Sequence, residues 1–396
     1  MERIPGASVL RRALRDRSVR SALFAFGLTR ALVFVVFVLA THFFIVGGPK
    51  PMGEFQEPVI ELHGRTIVQR LRQLALRGDG GWYVGTAKEG YEHRPFDATE
   101  QHNWAFFPLY PLSLRAASTL TGGLLLTGML LSNLFFLPAL VLLHKTALAF
   151  GLDEGDADRA VFYLAAFPTA YFFSVAQTES LFLLLTVGSF YAATRDRWWL
   201  AGAVGALASA TRFSGIFLVP ALAVLYWQRH GFRLRANLLG LGLVPLGLLS
   251  FMIYLHLITG NAFAFKDVLV AWGRTSGFFL STLFSYLARF RVVSESWNFG
   301  LLNFAAAVLA LACGIVLARR REWSLSLYTL LSIIAPLSST LLQSHARYAL
   351  TIFPVFMLLA QWGRSPLVDQ TIRAIFIILL GLMSALFAAH FTIAMS

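Results

Sequence analysis

Asp79, Glu100, His102, Glu179, Arg212, Lys266, Asp267, His345 and Arg347 stand mostly where polar stretches meet apolar runs in an otherwise oily chain. Ionisable groups in or near a membrane are costly and are functional candidates by default. Any one of them could merely reach out to the interface, but so many on one side predict a shared polar cavity. Asp79 lies in "LRGDGGWYVGTAKEGY", residues 76–91, between Gly78 and Gly80–Gly81 and just before Trp82 and Tyr83. Glycine lets the backbone bend sharply and approach a ligand closely. A carboxylate beside aromatic rings and partly out of water suits general-base work. Trp82, Tyr83, Tyr91 and Tyr348 are candidates to stack on a sugar or to pack at the headgroup level. Taken alone, "GDGG" reads first as a turn.

The neighbouring "EQHNWAFFPLYPLSLR", residues 100–115, adds Glu100 and His102, a second acid and an imidazole that could share acid/base duty, orient an acceptor or hold a metal. Pro108 and Pro111 then break the chain ahead of a helix lying along the membrane surface. Glu179, in "SVAQTESLF" (residues 174–182), sits at a tight turn, where it either serves the acceptor or caps the next helix. Arg212 lies in "SATRFSG" (209–215), and "QSHARYALTIFP" (343–354) brings His345, Arg347 and Tyr348. An arginine facing a buried cavity needs an anionic partner. Phosphate matches its planar fork, with Glu179 or Asp267 as the alternative partner. Arg212, Arg347, Lys266 and His345 are therefore the candidate phosphate binders. The chain contains no phosphate-binding glycine loop, no H-E-x-x-H pattern and no His/Cys spacing for structural zinc. A divalent metal is possible, but no required metal or other cofactor is expected.

The elements that must position these groups are membrane helices. The 396 residues are 57% hydrophobic and 13% charged, with a mean hydropathy of +0.66. Soluble domains are about 45–50% apolar and about 25% charged. Apolar runs fall at residues 21–46, 124–150, 160–176, 181–194, 198–211, 215–227, 238–258, 301–318, 324–342, 349–362 and 372–393. They predict an all-α polytopic bundle of about eleven spans. Residues 1–20 read as a basic cytoplasmic leader and residues 21–396 as one membrane domain, with outer loops at 47–123 and 259–300. The run at 21–46 is too long for a cleavable signal and reads as the first span.

Short basic loops at 194–199, 228–235 and 319–322 fall inside under this topology, and the candidate site residues fall outside. In the first outer loop, Ile67, Val68, Leu71, Leu74 and Ala75 share one helical face, as an interfacial helix requires. "FLSTLFSYLARF" predicts a second such helix in the later loop. The net charge of +13 fits either this topology or an anionic lipid partner. Nucleic acid is excluded as a partner because the basic residues are scattered between apolar spans. Cys313 is the only cysteine, so no internal disulfide forms.

"GDGGWYVGTAKEGY" followed by "EQHNWAFFPLYPLSLR" resembles the first outer loop of the PIG-V family, the GPI mannosyltransferase II proteins and their bacterial relatives. "TESLF", "ATRFSG" and "TGNAFAFKDVLVAWGR" are similar to later family signatures in the same order, so the resemblance spans residues 76 to about 354. It implies a class C (GT-C) glycosyltransferase fold and a polyprenyl-phosphate sugar donor, usually mannose. It also implies a catalytic aspartate in the first extracytoplasmic loop, which maps to Asp79. A bacterial-type member would sit in the plasma membrane with its N-terminus cytoplasmic and its acceptor unidentified: a lipid, a glycan or a protein. The family usually reads Trp-Asp where this chain has Gly78-Asp79, so aromatic packing before the acid is missing or supplied elsewhere. The expected activity is inverting transfer to an acceptor hydroxyl with Asp79 as base. A transporter or flippase of lipid-linked sugars is the alternative, and a structural scaffold the third reading.

Overall fold

The computed structural model describes residues 15–43, 66–231, 233, 235–288 and 300–389. The first part of the basic leader, the end of the first apolar run (44–46), residues 47–65 of the first loop and residues 289–299 of the later one lie outside the described residues. The chain is a helical bundle with no β-strand among the described residues, only an isolated bridge between Ser276 and Ser339. Among the described residues, five helical segments are long and apolar enough to cross a membrane: α1 (Arg17–Phe43), α5 (Leu124–Ala149), the segment Ala236–Thr259, α13 (Gly300–Arg319) and α17 (Pro366–Ala388). Shorter apolar helices fill the space between them: α7 (Glu179–Thr194), α8 (Trp198–Ser209), α12 (Phe279–Ala288), α14 (Trp323–Leu337) and α16 (Phe353–Trp362).

In its described part, each apolar run read from the sequence falls on helix, but three are interrupted. The run at 160–176 is not one span. Its helix starts earlier, as α6 (Glu154–Ala166), because Asp153 caps it by accepting the Asp156 amide at 2.7 Å and acidic residues fill its first turn. It ends ahead of Pro168, where a following proline disfavours helical backbone, and a single 3₁₀ turn covers Ala170–Ser174. Arg30 of α1, 3% exposed, makes the break tolerable. Its guanidinium donates to the carbonyls of Ala165 (3.1 Å) and Ala170 (2.8 Å) and to the Ser174 hydroxyl (2.9 Å). Backbone groups released inside a membrane must find such partners. The run at 324–342 stops at Leu337, just past Pro336, and the run at 349–362 is preceded by a separate short helix, α15 (His345–Leu350). The candidate site residues sit at such breaks.

The expected interfacial helix is α2 (Ile67–Leu74). Thr66 and Gln69 form a reciprocal capping box, with N–H to side-chain oxygen distances of 3.3 and 2.9 Å. Its outer residues Ile67 and Val68 are exposed, and Leu74 and Ala75 are fully buried where the chain turns toward Asp79. Helix α3 (Gly80–Glu89) follows, then α4 (Leu109–Thr121) beyond the proline break, and α9 (Leu218–His230) beyond Arg212.

Apolar side chains gain little from helix association within lipid, so close backbone approach carries more of the packing. Gly202 of α8 meets Gly240 in this way: a Cβ on Gly202 would lie 1.7 Å from the Gly240 carbonyl oxygen. Overpacking of this kind costs about 1–3 kcal/mol or more. Gly202→Ala is expected to lower the thermal unfolding midpoint of the detergent-purified protein. Gly242→Ala, whose Cβ would meet nothing within 4 Å, should leave it unchanged.

Candidate active site

Asp79 sits on a turn that only glycine can build. Gly78 adopts φ 58°, in the left-handed region, which costs a residue with a Cβ about 1–2 kcal/mol. The family's usual tryptophan would be strained here. A Cβ on Gly80 would lie 2.1 Å from the Ala75 carbonyl oxygen. The turn closes on itself through Gly80 N to Arg77 O (3.1 Å) and Gly81 N to Leu76 O (3.0 Å). Two long-range clamps hold it. Arg77, 4% exposed, donates to the Phe387 carbonyl at 2.6 Å and to that of Ala388, at the C-terminus of α17. A guanidinium there meets carbonyls that the helix itself cannot satisfy. Gln177 donates to the Arg77 carbonyl at 3.3 Å. Asp79 occupies the position before α3 but makes no side-chain cap bond, so its carboxylate is turned elsewhere.

It turns to Arg347, whose Nη1 donates to Asp79 Oδ2 while Nε donates to Glu179 Oε1. Arg212 Nη2 reaches the same Glu179 oxygen at 3.2 Å. The expected arginine partner was Glu179 or Asp267, and Glu179 takes both arginines. Asp267 instead accepts from Asn261 at 2.9 Å. Side-chain exposure is 0% for Glu179, 5% for Arg347, 14% for Arg212 and 36% for Asp79. Asp79 is thus the carboxylate of this cluster that is open to solvent. Arg347 lies 4.8 Å from the Phe172 ring and Arg212 5.6 Å from the Tyr348 ring. Arg274 Nη1 donates to the Tyr348 hydroxyl at 2.9 Å, bringing a third guanidinium to the cluster. Three guanidiniums against two carboxylates leave a positive surplus. Arg212 Nη1 and Glu179 Oε2 are buried with no hydrogen-bond partner among the described residues.

Other candidates are placed differently. Glu100 and Lys266 are exposed and make no ion pair among the described residues, so neither joins the cluster. Their polarity reflects solvated loop positions. His102, 2% exposed, belongs to a clasp around the end of α3. Its Nδ1 lies 2.6 Å from Glu92 Oε2, Asn103 donates to the Gly90 carbonyl at 2.9 Å, and Trp104 Nε1 to the Glu92 carbonyl at 2.9 Å. His345 is fully buried. Burial, with the charge of Arg274, pushes its imidazole down to about 4 against small opposing effects from nearby backbone carbonyls, so it brings no positive charge at neutral pH. Among the stacking candidates, Trp82 lies against Phe106 at 5.4 Å and 13°. Tyr83 is 6% exposed, with its ring edge-on to Phe106 and Tyr110, and offers no face for a sugar. Tyr348 is half-buried between guanidiniums. No group of three or more His, Cys, Asp or Glu positioned for a metal occurs among the described residues.

The sequence reading missed Arg274, Arg77 and Glu92. Arg274 closes the quoted stretch 259–274, and its arginine at a loop end was the available signal. Removing one partner of a buried pair costs about 3–5 kcal/mol, so Glu179→Ala is expected to lower the stability measured by thermal unfolding by about that much. His345 makes a second expectation. Its pKa is lower in the folded state than the usual 6.5, so its contribution to stability is present above pH 6.5 and is lost as pH falls through about 4. The unfolding midpoint should fall across that window, and His345→Gln should flatten the fall.

The family profile described as Mannosyltransferase (PIG-V) matches residues 61–307, more than half of the chain, taking in Asp79, Glu179, Arg212 and Arg274 and ending before Arg347. The GPI alpha-1,6-mannosyltransferase 2 of Rattus norvegicus is 29% identical over 176 residues, 42% of this chain and 34% of that protein. The Homo sapiens protein of the same name is 28% identical over 180 residues, 42% of this chain and 35% of that protein. The chain thus matches about a third of the length of these relatives. Among solved structures, the Archaeoglobus fulgidus oligosaccharyltransferase crystallised with Zn and sulfate is similar at 12% identity and a TM-score of 0.48, over 89% of this chain and 53% of that chain. By its sequence match and its apolar helices, this chain is an integral membrane protein that belongs to the PIG-V mannosyltransferase family.

Proposed function

We propose that the chain transfers mannose, with inversion, from a polyprenyl-phosphate donor to a hydroxyl of a lipid, glycan or protein acceptor at the extracytoplasmic face. Asp79 takes the acceptor proton as the acceptor oxygen bonds to the anomeric carbon. The bond from that carbon to the phosphate oxygen breaks, and polyprenyl phosphate leaves with the electron pair. The observation that carries this reading is the accessible carboxylate of Asp79, oriented by Arg347 beside the fully buried Glu179. The unpaired Nη1 of Arg212 and the Arg274 guanidinium favour a phosphate neighbour. Such positive groups stabilise the charge that develops on a leaving phosphate. His345 and Lys266 are less suited, one neutral and the other exposed. Trp82 and Tyr348 are the aromatic groups best placed to flank the sugar, and His102 acts at a distance by holding the end of α3. The chemistry uses the chain's own carboxylate and guanidiniums and calls for no metal.

The test is incubation of the purified chain with polyprenyl-phosphate mannose and candidate acceptors, with products identified by mass. General-base catalysis contributes about 10²–10⁴-fold, so Asp79→Asn should lose that much transfer while keeping its elution profile and unfolding midpoint. Transport of the lipid-linked sugar without transfer, donor hydrolysis alone, or full activity in Asp79→Asn would overturn the assignment.

A further inference from the structure

A second built feature lies at the far end of the helix that carries Glu179. Helix α7 runs from Glu179 to Thr194, so Arg195, the next residue, is about 24 Å along the axis from the Asp79 cluster. There α5, α7 and α8 line an open groove of about 690 Å³. Leu142, Leu184 and Val204 surround Gly188 to make its apolar part, and Tyr191, Arg195 and Arg197 line it at one end. Both arginines are exposed. Arg195 donates to the Tyr191 hydroxyl at 3.2 Å, with its guanidinium 5.3 Å from that ring. Arg197 makes no ion pair among the described residues. The carboxylate between them, Asp196, accepts from Trp198 Nε1 (2.5 Å) and lies 2.8 Å from His230 Nε2, both at Oδ1, and forms an ion pair with neither arginine among the described residues, so the stretch keeps a net positive charge. Trp199, two residues after Arg197 in sequence, is 52% exposed, as tryptophans at the headgroup level are.

We infer that this groove holds one anionic phospholipid, an acyl chain against Gly188 and the phosphate at Arg195 and Arg197. Two observations select that occupant. The apolar wall from Leu184 to Arg195 spans eleven residues, about 16 Å of helix, which is half of the roughly 30 Å hydrocarbon core and so one leaflet. The two guanidiniums at its end, neither in an ion pair among the described residues, favour an anionic headgroup over a zwitterionic one. The site lies too far from Asp79 for its lipid to be the sugar donor, so it stands independently of the proposed transferase reaction. The loop that carries the arginines is one of the short basic loops expected on the cytoplasmic side, where anionic lipids attract basic residues.

The full chain is reconstituted in vesicles of equimolar phosphatidylglycerol and phosphatidylcholine, extracted in mild detergent and weighed intact by mass spectrometry to count retained lipids. One phosphatidylglycerol is expected in preference to phosphatidylcholine. Each surface arginine contributes about 1 kcal/mol, or about fivefold, so Arg195→Gln with Arg197→Gln should weaken retention about 30-fold. Both positions are exposed, so folding is not at stake. A Cβ on Gly188 would make only ordinary contacts, 3.6 Å from Leu142 and Val204, and Gly188→Leu should fill the groove and expel the lipid. Equal retention of the two lipids by the unaltered chain overturns the inference. Retention that survives Gly188→Leu overturns it too, because the lipid would then be held by surface charge alone.

Discussion

A carboxylate with no exposed surface, Glu179, sets the terms for the rest of the site. A buried charge is tolerable only when paired and hydrogen-bonded, and Glu179 is paired twice, by Arg347 and by Arg212. Those partners come from the turn after α8 and from α15, and Arg347 extends the chain of pairs to Asp79 on the first-loop turn. Four segments distant in sequence are thereby tied to one point. Glu179 is the buried centre of this arrangement and Asp79 its accessible edge. Removing the centre would leave two guanidiniums facing each other, whereas removing the edge would leave the scaffold standing.

The same logic explains why the site lies where helices break. A continuous helix satisfies its own backbone and has no donors or acceptors to spare. At the interruption between α6 and α7 and at the C-terminus of α17, carbonyls are released, and arginines take them: Arg30 those of Ala165 and Ala170, Arg77 those at the end of α17. Irregular backbone beside the charge cluster is thus stabilised by buried cations that bond backbone carbonyls. Part of the chain's arginine surplus serves this end, which is distinct from both membrane topology and ligand binding.

Much of the site could be read from residue type and position. Asp79, Glu179, Arg212 and Arg347 announced themselves as charges at the margins of apolar runs, where little but a partner or a ligand can justify them. The helical bundle was equally legible, because hydropathy is a local property. Glu100 and Lys266 carried the same local signal, but their loops are solvated, and solvation cannot be judged from a single charge in a polar stretch. Arg77, Arg274 and Glu92 were missed for the opposite reason: their partners are a carbonyl, a phenol hydroxyl and an imidazole brought close only by the fold. The helix at 160–176 was misjudged because apolar composition outlasts helical geometry. Pro168 ends the helix while the side chains stay oily through Ala176.

The clamp between Arg77 and the carbonyl of Phe387 joins residues 310 positions apart. Chains are made from the N-terminus onward, so the acid-bearing turn leaves the ribosome early and waits for the synthesis of the 310 residues that separate Arg77 from its anchor. Until α17 is in place, Asp79 has its neighbours in sequence but not the support that aims it. The geometry therefore ties the support of the first-loop turn to completion of the last described helix, and a chain arrested partway through insertion would carry Asp79 without that support.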